Sequence, residues 1–379
     1  MNVLVTGAHG FMGRNLTAHL KACEGCEVTL FDVDDSPDDL RAGLETADII
    51  YHLAGVNRPQ TIEEFETGNA GLTREICEIL RELGRAPVIV MSSSVQAELD
   101  NPYGVSKRRA EDALREFEAQ SGAQVCIYRL KNVFGKWCRP NYNSVVATFC
   151  HNIANDLPIQ ISDPGHELDL VYVDDVVKAF LAEMPIHAES NGQPDIPSFN
   201  LTLGDLAGRI QSFHDMRTNL LTPDFAVRFN QQLYATYLSY VPDKARSQQL
   251  QIKSDQRGVL AEFIKSDHFG QIFISRTRPG ITRGNHYHHT KAEKFLVVEG
   301  NGIIRMRHIQ RSEVVGYRVQ GQDFQVIDIP PGYTHSIENI GNGDMITLFW
   351  TSEIFDPDRP DTYFLPVLTP AEIPAPVTT

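Results

Sequence analysis

The spacing of apolar and polar positions changes once along this chain. In the first two thirds, short runs that are apolar throughout alternate with stretches of helical spacing. Asn2–Thr6, Glu27–Phe31, Ala47–Gly55, Ala86–Met91 and Val125–Leu130 read as strands, with helical patterns at Arg14–Leu20, over 69–84 and from Lys107 to Gln120. Strands buried on both faces and linked by helices predict a doubly wound parallel α/β sheet. Leu170–Asp175 reads as a late strand entering a helix capped by Asp174 and Asp175. Pro185 to Pro197 reads as a loop, and 201–217 and Phe225–Tyr240 as further helices. From Lys253 the period shortens to two. Gly258–Ile264, Gly270–Ser275, Phe295–Glu299, Gly302–His308 and Met345–Trp350 follow one another closely, broken by Gly, Pro and Asn, which predicts an all-β barrel or sandwich. The expected domains are 1–245, an α/β domain with a substrate lobe, and 246–366, a β domain. Residues 367–379, rich in Pro and Thr, are expected to be a disordered tail.

Length agrees with that division, since 379 residues exceed one ordinary core. A formal net charge of -15 argues against nucleic acid and anionic membrane surfaces as partners, so an anionic substrate must be held by locally placed donors. No apolar run approaches the ~20 residues of a membrane span, and no basic segment precedes the first strand as in a signal peptide. Six cysteines are too few for a disulfide scaffold and fit a cytoplasmic location. Cys23 and Cys26 have redox-pair spacing but fall at a helix end.

The chemistry begins where the first strand meets the first helix. Gly7, Gly10 and Gly13 lie in Gly7-Ala-His-Gly10-Phe11-Met12-Gly13-Arg14, a turn that lets a pyrophosphate approach the backbone at a helix N-terminus. The second strand ends at Asp32, whose carboxylate suits a ribose 2′-hydroxyl and repels a 2′-phosphate, favouring NADH. Arg14 and His9 oppose that preference. The strand after them ends at Leu53-Ala54-Gly55, and the next delivers Ser92-Ser93-Ser94, followed by Tyr103 and Lys107 four apart on one helix face. A neighbouring ammonium is expected to lower the tyrosine pKa toward neutral, so that it can pass a proton to a carbonyl oxygen bonded by one of the three serines, of which resemblance to a known family favours Ser94.

The Gly-x-x-Gly-x-x-Gly turn and the Tyr-x-x-x-Lys pair resemble the extended short-chain dehydrogenase/reductase superfamily, with its Rossmann-type fold. Where dehydratases of that superfamily place an acid pair, this chain has Val95-Gln96 after Ser94, so ketone reduction or redox epimerisation is the better expectation. Asn132, Lys136 and Arg139 lie in a stretch similar to the superfamily's substrate-side loop, where Asn132 would bond a sugar or its phosphates and Lys136 or Arg139 a diphosphate.

In the β domain, His286 and His288 alternate by two, Glu293 follows five later, and His335 stands in Pro330-Pro-Gly332-Tyr333-Thr-His335. Imidazoles plus one carboxylate suit zinc or another divalent metal, with a position left for substrate. These two segments resemble the paired metal motifs of the cupin barrels, and both domains together resemble the bifunctional capsular-polysaccharide enzymes of the CapF type. That resemblance implies NADPH, a UDP-sugar substrate, a homodimer, epimerisation at carbon 3 of a 4-keto sugar in the cupin, and reduction at carbon 4 in the first domain. His289, Tyr287, Tyr333 and Lys294 are candidates for the proton transfers, unranked by spacing alone.

Overall fold

The computed structural model describes residues 1–184 and 195–368. Most of the loop expected at Pro185–Pro197, and the tail beyond residue 368, lie outside the described residues. The chain divides into two compact units, Met1–Gln211 with Gln231–Pro242, and Ser212–Asn230 with Asp243–Thr379. Among the described residues no helix is long and apolar enough to cross a membrane.

In the first unit β1 (Asn2–Thr6), β2 (Glu27–Phe31), β3 (Ile49–His52), β4 (Val88–Ser94) and β5 (Val125–Leu130) form a parallel sheet in the order β2-β1-β3-β4-β5. Alternation along each strand feeds two separate cores. Val3, Val5, Ile49 and Tyr51 pack with Leu16 and Leu20 of helix Phe11–Leu20 and with Val176, Val177 and Phe180 of helix Val173–Ala182. Leu4, Ile50 and Ile89 face the other way, onto Leu40, Leu44, Ile76, Leu80, Leu114 and Phe117 of helices Pro37–Thr46, Leu72–Leu83 and Pro102–Ser121. Each such side chain contributes about 1.5–3 kcal/mol by burial. This is the doubly wound arrangement expected from the apolar runs.

A small sheet of β6 (Asn132–Phe134), β7 (Glu167–Tyr172) and β8 (Ser198–Thr202) follows, parallel between β6 and β7 and antiparallel between β7 and β8. The expectation that Asp174 and Asp175 cap the next helix is corrected. The N-cap is Tyr172 with no side-chain cap bond, and both aspartates lie in the first turn, where the helix dipole favours them. The carboxylate of Asp174 is taken instead by Lys136, 2.5 Å away.

In the second unit β9 (Ile252–Asp255), β10 (Gly258–Ser266), β11 (Gly270–Thr277), β12 (Thr282–Tyr287), β13 (Glu293–Glu299), β14 (Asn301–His308), β15 (Val314–Gln320), β16 (Val326–Ile329), β17 (Tyr333–Asn339), β18 (Met345–Thr351) and β19 (Tyr363–Phe364) build two sheets. Their orders are β16-β13-β18-β11-β10-β9 and β15-β14-β17-β12-β19. Phe295, Val297 and Met345 from the first meet Ile304, Met306, Val319 and Ile337 from the second, so the inner faces enclose one apolar core. Chain expected to be tail continues this unit for a short way. Val367 is fully buried, and its N–H donates to Asn285 Oδ1 at 3.1 Å.

Candidate functional site

The glycine turn of the first unit is a cradle that side chains would fill. Gly7 has φ 68°, and a Cβ there would stand 2.6 Å from the Ala54 nitrogen; one on Gly13 would stand 2.1 Å from the Gly7 oxygen. Gly10 caps helix Phe11–Leu20 with no side-chain bond, so the N–H groups around Phe11 and Met12 remain available to an anion. Leu53 and Ala54 close the other wall, their N–H groups bonding the Thr6 carbonyl and hydroxyl, with Gly55 next to them. This architecture fits a dinucleotide.

Asp32, at the end of β2, accepts from the backbone N–H of His9 at 2.6 Å and of Val33 at 2.8 Å. The cations that oppose it in the sequence are not equally placed. Arg14 spends its guanidinium on the Trp137 carbonyl at 2.7 Å, while exposed His9 stands 3.9 Å from the Asp32 carboxylate.

Ser94, Tyr103 and Lys107 come together at the carboxyl end of β4. Of the three serines, Ser94 is the one whose hydroxyl acts on the Tyr103 phenol; Ser93 Oγ bonds the buried Glu111 carboxylate, and the Ser92 carbonyl accepts from Lys107 Nζ at 2.8 Å. The expected low tyrosine pKa is corrected. Burial pushes the Tyr103 hydroxyl above its ordinary value, only partly opposed by the Ser94 bond. The same burial brings Lys107 down to about 8, with Glu111 pulling the other way. Desolvation of both groups outweighs their mutual influence. The nearest carboxylate after the serines, Glu98, is tied to Arg129 at 3.1 Å.

On the substrate side, Asn132 is exposed and reaches only the Asp169 carbonyl, at 3.4 Å. Lys136 is held by Asp174 and is thereby removed as a free cation. Arg139 lies 5.2 Å from the centre of the Tyr142 ring, and Arg58, which the sequence reading passed over, lies 5.5 Å from the same ring. Two guanidinium groups from positions far apart in sequence thus lie against one aromatic ring.

The second unit gathers His286, His288, Glu293 and His335 so that their ligand atoms all lie within 4.8 Å of one another. β12 pairs with β17, placing His286 opposite His335, and Glu293 enters from β13 in the other sheet. Glu293 Oε2 stands 2.9 Å from His335 Nε2 and 3.5 Å from His288 Nε2, yet the angles are not those of hydrogen bonds, and all three buried atoms remain without a partner. The far sides of two rings are anchored. His288 Nδ1 bonds the Asp361 carbonyl and His335 Nδ1 the Tyr333 carbonyl, which leaves both Nε2 lone pairs facing inward. Burial raises the Glu293 carboxyl, but His288 and His335 outweigh it and hold it at about 2. Burial, with His335, lowers His286 to about 4. Unpartnered buried donors of this type fit a divalent ion.

The four proton-transfer candidates separate by face. Tyr287 and His289 point away from the cluster toward Tyr363, Tyr287 stacked on its ring at 5.3 Å and His289 edge-on to it at 4.9 Å between ring centres. Lys294 alternates with Glu293 on β13 and pairs with Asp328 on the exposed side. Tyr333 alone shares the inner face with His335, two residues on. His308, missed in the sequence, sits opposite it on β14 with its ring 5.1 Å away.

Comparison with known proteins matches the folds of both units. Residues 3–196 match the NAD dependent epimerase/dehydratase family, and 253–363 match the polysaccharide biosynthesis C-terminal domain. A Pseudomonas aeruginosa UDP-2-acetamido-2,6-beta-L-arabino-hexul-4-ose reductase is 44% identical over 96% of this chain and 98% of its own. The capsular polysaccharide assembling protein CapF of Staphylococcus aureus superposes with a TM-score of 0.90 at 46% identity, covering 97% of this chain and all of that one. A UDP-glucuronic acid 4-epimerase of Bacillus cereus shares the fold of the first domain, at 17% identity and a TM-score of 0.53 over 64% of this chain. With both domains matched over nearly its whole length, this chain belongs to the CapF-type family of capsular-polysaccharide enzymes, an NAD dependent epimerase/dehydratase domain joined to a polysaccharide biosynthesis C-terminal domain.

Proposed function

We propose that the chain is a bifunctional, cytoplasmic nucleotide-sugar enzyme, active as a homodimer. Its cupin domain epimerises carbon 3 of a UDP-2-acetamido-2,6-dideoxy-4-hexulose, and its reductase domain, residues 1–245, reduces the carbon 4 ketone. The product is a UDP-N-acetyl-6-deoxy-L-talosamine, precursor of UDP-N-acetyl-L-fucosamine. One observation carries this reading: a single chain holds both a Ser94–Tyr103–Lys107 arrangement and a cluster of three histidines and one glutamate in which the facing atoms of His288, Glu293 and His335 are buried without a hydrogen-bond partner. The ketone makes the carbon 3 hydrogen acidic, and reduction abolishes that acidity, so epimerisation comes first.

In the reductase, Tyr103 gives its proton to the carbon 4 oxygen while the Ser94 hydroxyl bonds that same oxygen and Lys107 supports the charge left on Tyr103. Gly7, Gly10, Gly13, Phe11 and Met12, walled by Leu53, Ala54 and Gly55, would seat a reduced nicotinamide, which would supply the hydride. Arg139 and Arg58 suit the diphosphate, with Asn132 beside the sugar. In the cupin, His286, His288, Glu293 and His335 would hold zinc or another divalent ion, which would supply a Lewis acid. Tyr333 is the group placed to exchange a proton at carbon 3, with His308 next to it.

The deciding experiment incubates the protein with the 4-keto UDP-sugar and either reduced nicotinamide, then assigns product stereochemistry by NMR. Carbon 3 hydrogen exchange in deuterated buffer without nicotinamide supports a catalytic cupin, and its absence leaves the reductase as the only enzyme. Tyr333→Phe should slow formation of the epimerised sugar by about 10²–10⁴-fold with metal content unchanged; a rate equal to the parent's removes Tyr333 from the mechanism.

Cofactor choice has its own test. Among the described residues Asp32 has exposed His9 as its ion-pair partner and no guanidinium, which favours NADH although the family resemblance implies NADPH. Asp32→Asn should raise the NADPH-to-NADH ratio of kcat/KM by about tenfold or more, because a like charge removed from within a few ångströms is worth on the order of 1–4 kcal/mol. An unchanged ratio would show that Asp32 does not meet the 2′ position.

A further inference from the structure

The loop that carries His288 is held by a residue 73 positions away. Asp361 Oδ1 accepts from the His289 N–H at 3.0 Å; Oδ2 accepts from the Thr290 N–H and hydroxyl, both at 2.9 Å, and from the Lys291 N–H at 3.2 Å. The backbone carbonyl of Asp361 receives His288 Nδ1, and the carbonyl of Pro360 receives the buried Lys291 ammonium. One residue thus bonds four consecutive positions, from 288 to 291. Asp361 adopts φ 39°, a left-handed conformation that a non-glycine residue holds only when its surroundings require it.

The rest of its segment is stapled to the metal-bearing strands. Phe364 pairs with His286 on β12, the Leu365 N–H donates to the Asn285 carbonyl at 2.9 Å, and the Leu365 carbonyl receives Thr334 Oγ1. These bonds fix Asp361 independently of His288, so the loop is clamped against a rigid support.

We propose that Asp361 is a positioning residue of the metal centre: its carboxylate fixes the 288–291 loop, and its carbonyl selects the His288 tautomer whose Nε2 lone pair faces the ion. The proposal rests on reading the four-residue cluster as a metal site. Between buried His288 and buried Lys291 the loop runs through exposed His289 and Thr290, and the bonds to Asp361 are what fix those two positions.

The test uses the full chain stripped of metal and titrated with zinc against a competing chelator, with cobalt as a spectroscopic substitute. The parent should take about one ion per chain. If it takes none, the metal-site reading fails, before Asp361 is in question. Asp361→Ala should weaken zinc binding about 10–100-fold and shift the cobalt absorption bands, while the metal-free melting temperature stays near the parent's. Asp361→Asn, which keeps one acceptor, should fall between. Thr290→Val, which deletes one of the four bonds to the carboxylate, provides a milder variant if Asp361→Ala does not fold, and should weaken binding by several fold. Parent-like zinc affinity and cobalt spectra in Asp361→Ala overturn the proposal, as does a metal-free melting temperature lowered as much as the metal-loaded one, which would make Asp361 a structural brace only. Where Thr290→Val stands in for Asp361→Ala, zinc affinity equal to the parent's overturns it likewise.

Discussion

Glu293→Gln should abolish carbon 3 proton exchange and leave carbon 4 reduction in place. Glu293 is the single carboxylate of the cluster, and it crosses from the sheet opposite the one that carries His286 and His335. Gln has almost the same volume, so the Phe295 and Val297 core next to it is undisturbed. What changes is charge. Three imidazoles and a neutral amide form a weak site for a divalent ion compared with three imidazoles and a carboxylate held ionised down to about pH 2. Exchange should fall by at least ~10²-fold, the order seen when charge stabilisation is removed from an anionic transition state, and bound zinc should fall with it. Reduction of a ketone supplied already epimerised should stay within about twofold of the parent. Reduction lost in parallel would mean that Glu293 acts through the fold as a whole. Exchange retained without metal would mean that the cluster is a structural site.

The same two centres show what a sequence carries and what it does not. Motifs contained in one local stretch, such as Gly7 to Gly13 on a strand–turn–helix or His286 on β12 and His288 just past its end, can be read directly, because their geometry follows from local period. The doubly wound sheet was legible for the same reason. Strands buried on both faces leave continuous apolar runs that no surface strand would keep. Contacts made by register were not legible. Tyr333 opposite His308, Arg58 beside Tyr142, and Asp361 against the 288–291 loop each depend on which strands or loops become neighbours, and spacing is silent on that. Face assignment was half legible. Alternation on β12 and β13 would have turned Tyr287 and Lys294 away from the metal had it been applied to every candidate, not only to the ligands. The Tyr103 pKa was misjudged because a near ammonium can be counted in a sequence, whereas the burial that outweighs it appears only once the helix is packed.

Tyr103→Phe makes the complementary separation. It removes one hydroxyl and keeps the ring that packs 5.6 Å from Phe65, so the helix should hold its place. Loss of a positioned general acid should slow reduction by about 10²–10⁴-fold, while exchange at carbon 3, carried out in the other domain, continues. The pH dependence identifies the acid. Burial keeps the Tyr103 hydroxyl protonated well beyond neutral pH, so its own titration imposes no limit in the working range. Lys107, lowered to about 8 chiefly by burial, carries the only charge of the pair that changes there. Its cationic form predominates below that value, and that form is the one able to support the phenolate left after proton transfer. The kcat/KM for reduction should therefore be level below pH about 8 and fall with a one-proton slope above it, since this ratio reports groups of the free enzyme. Lys107→Met should lower the plateau and erase the alkaline fall together. A parent profile that stays level through pH 9, or a Lys107→Met variant that keeps the fall, would assign the proton to a different group and break the link between the buried ammonium and Tyr103.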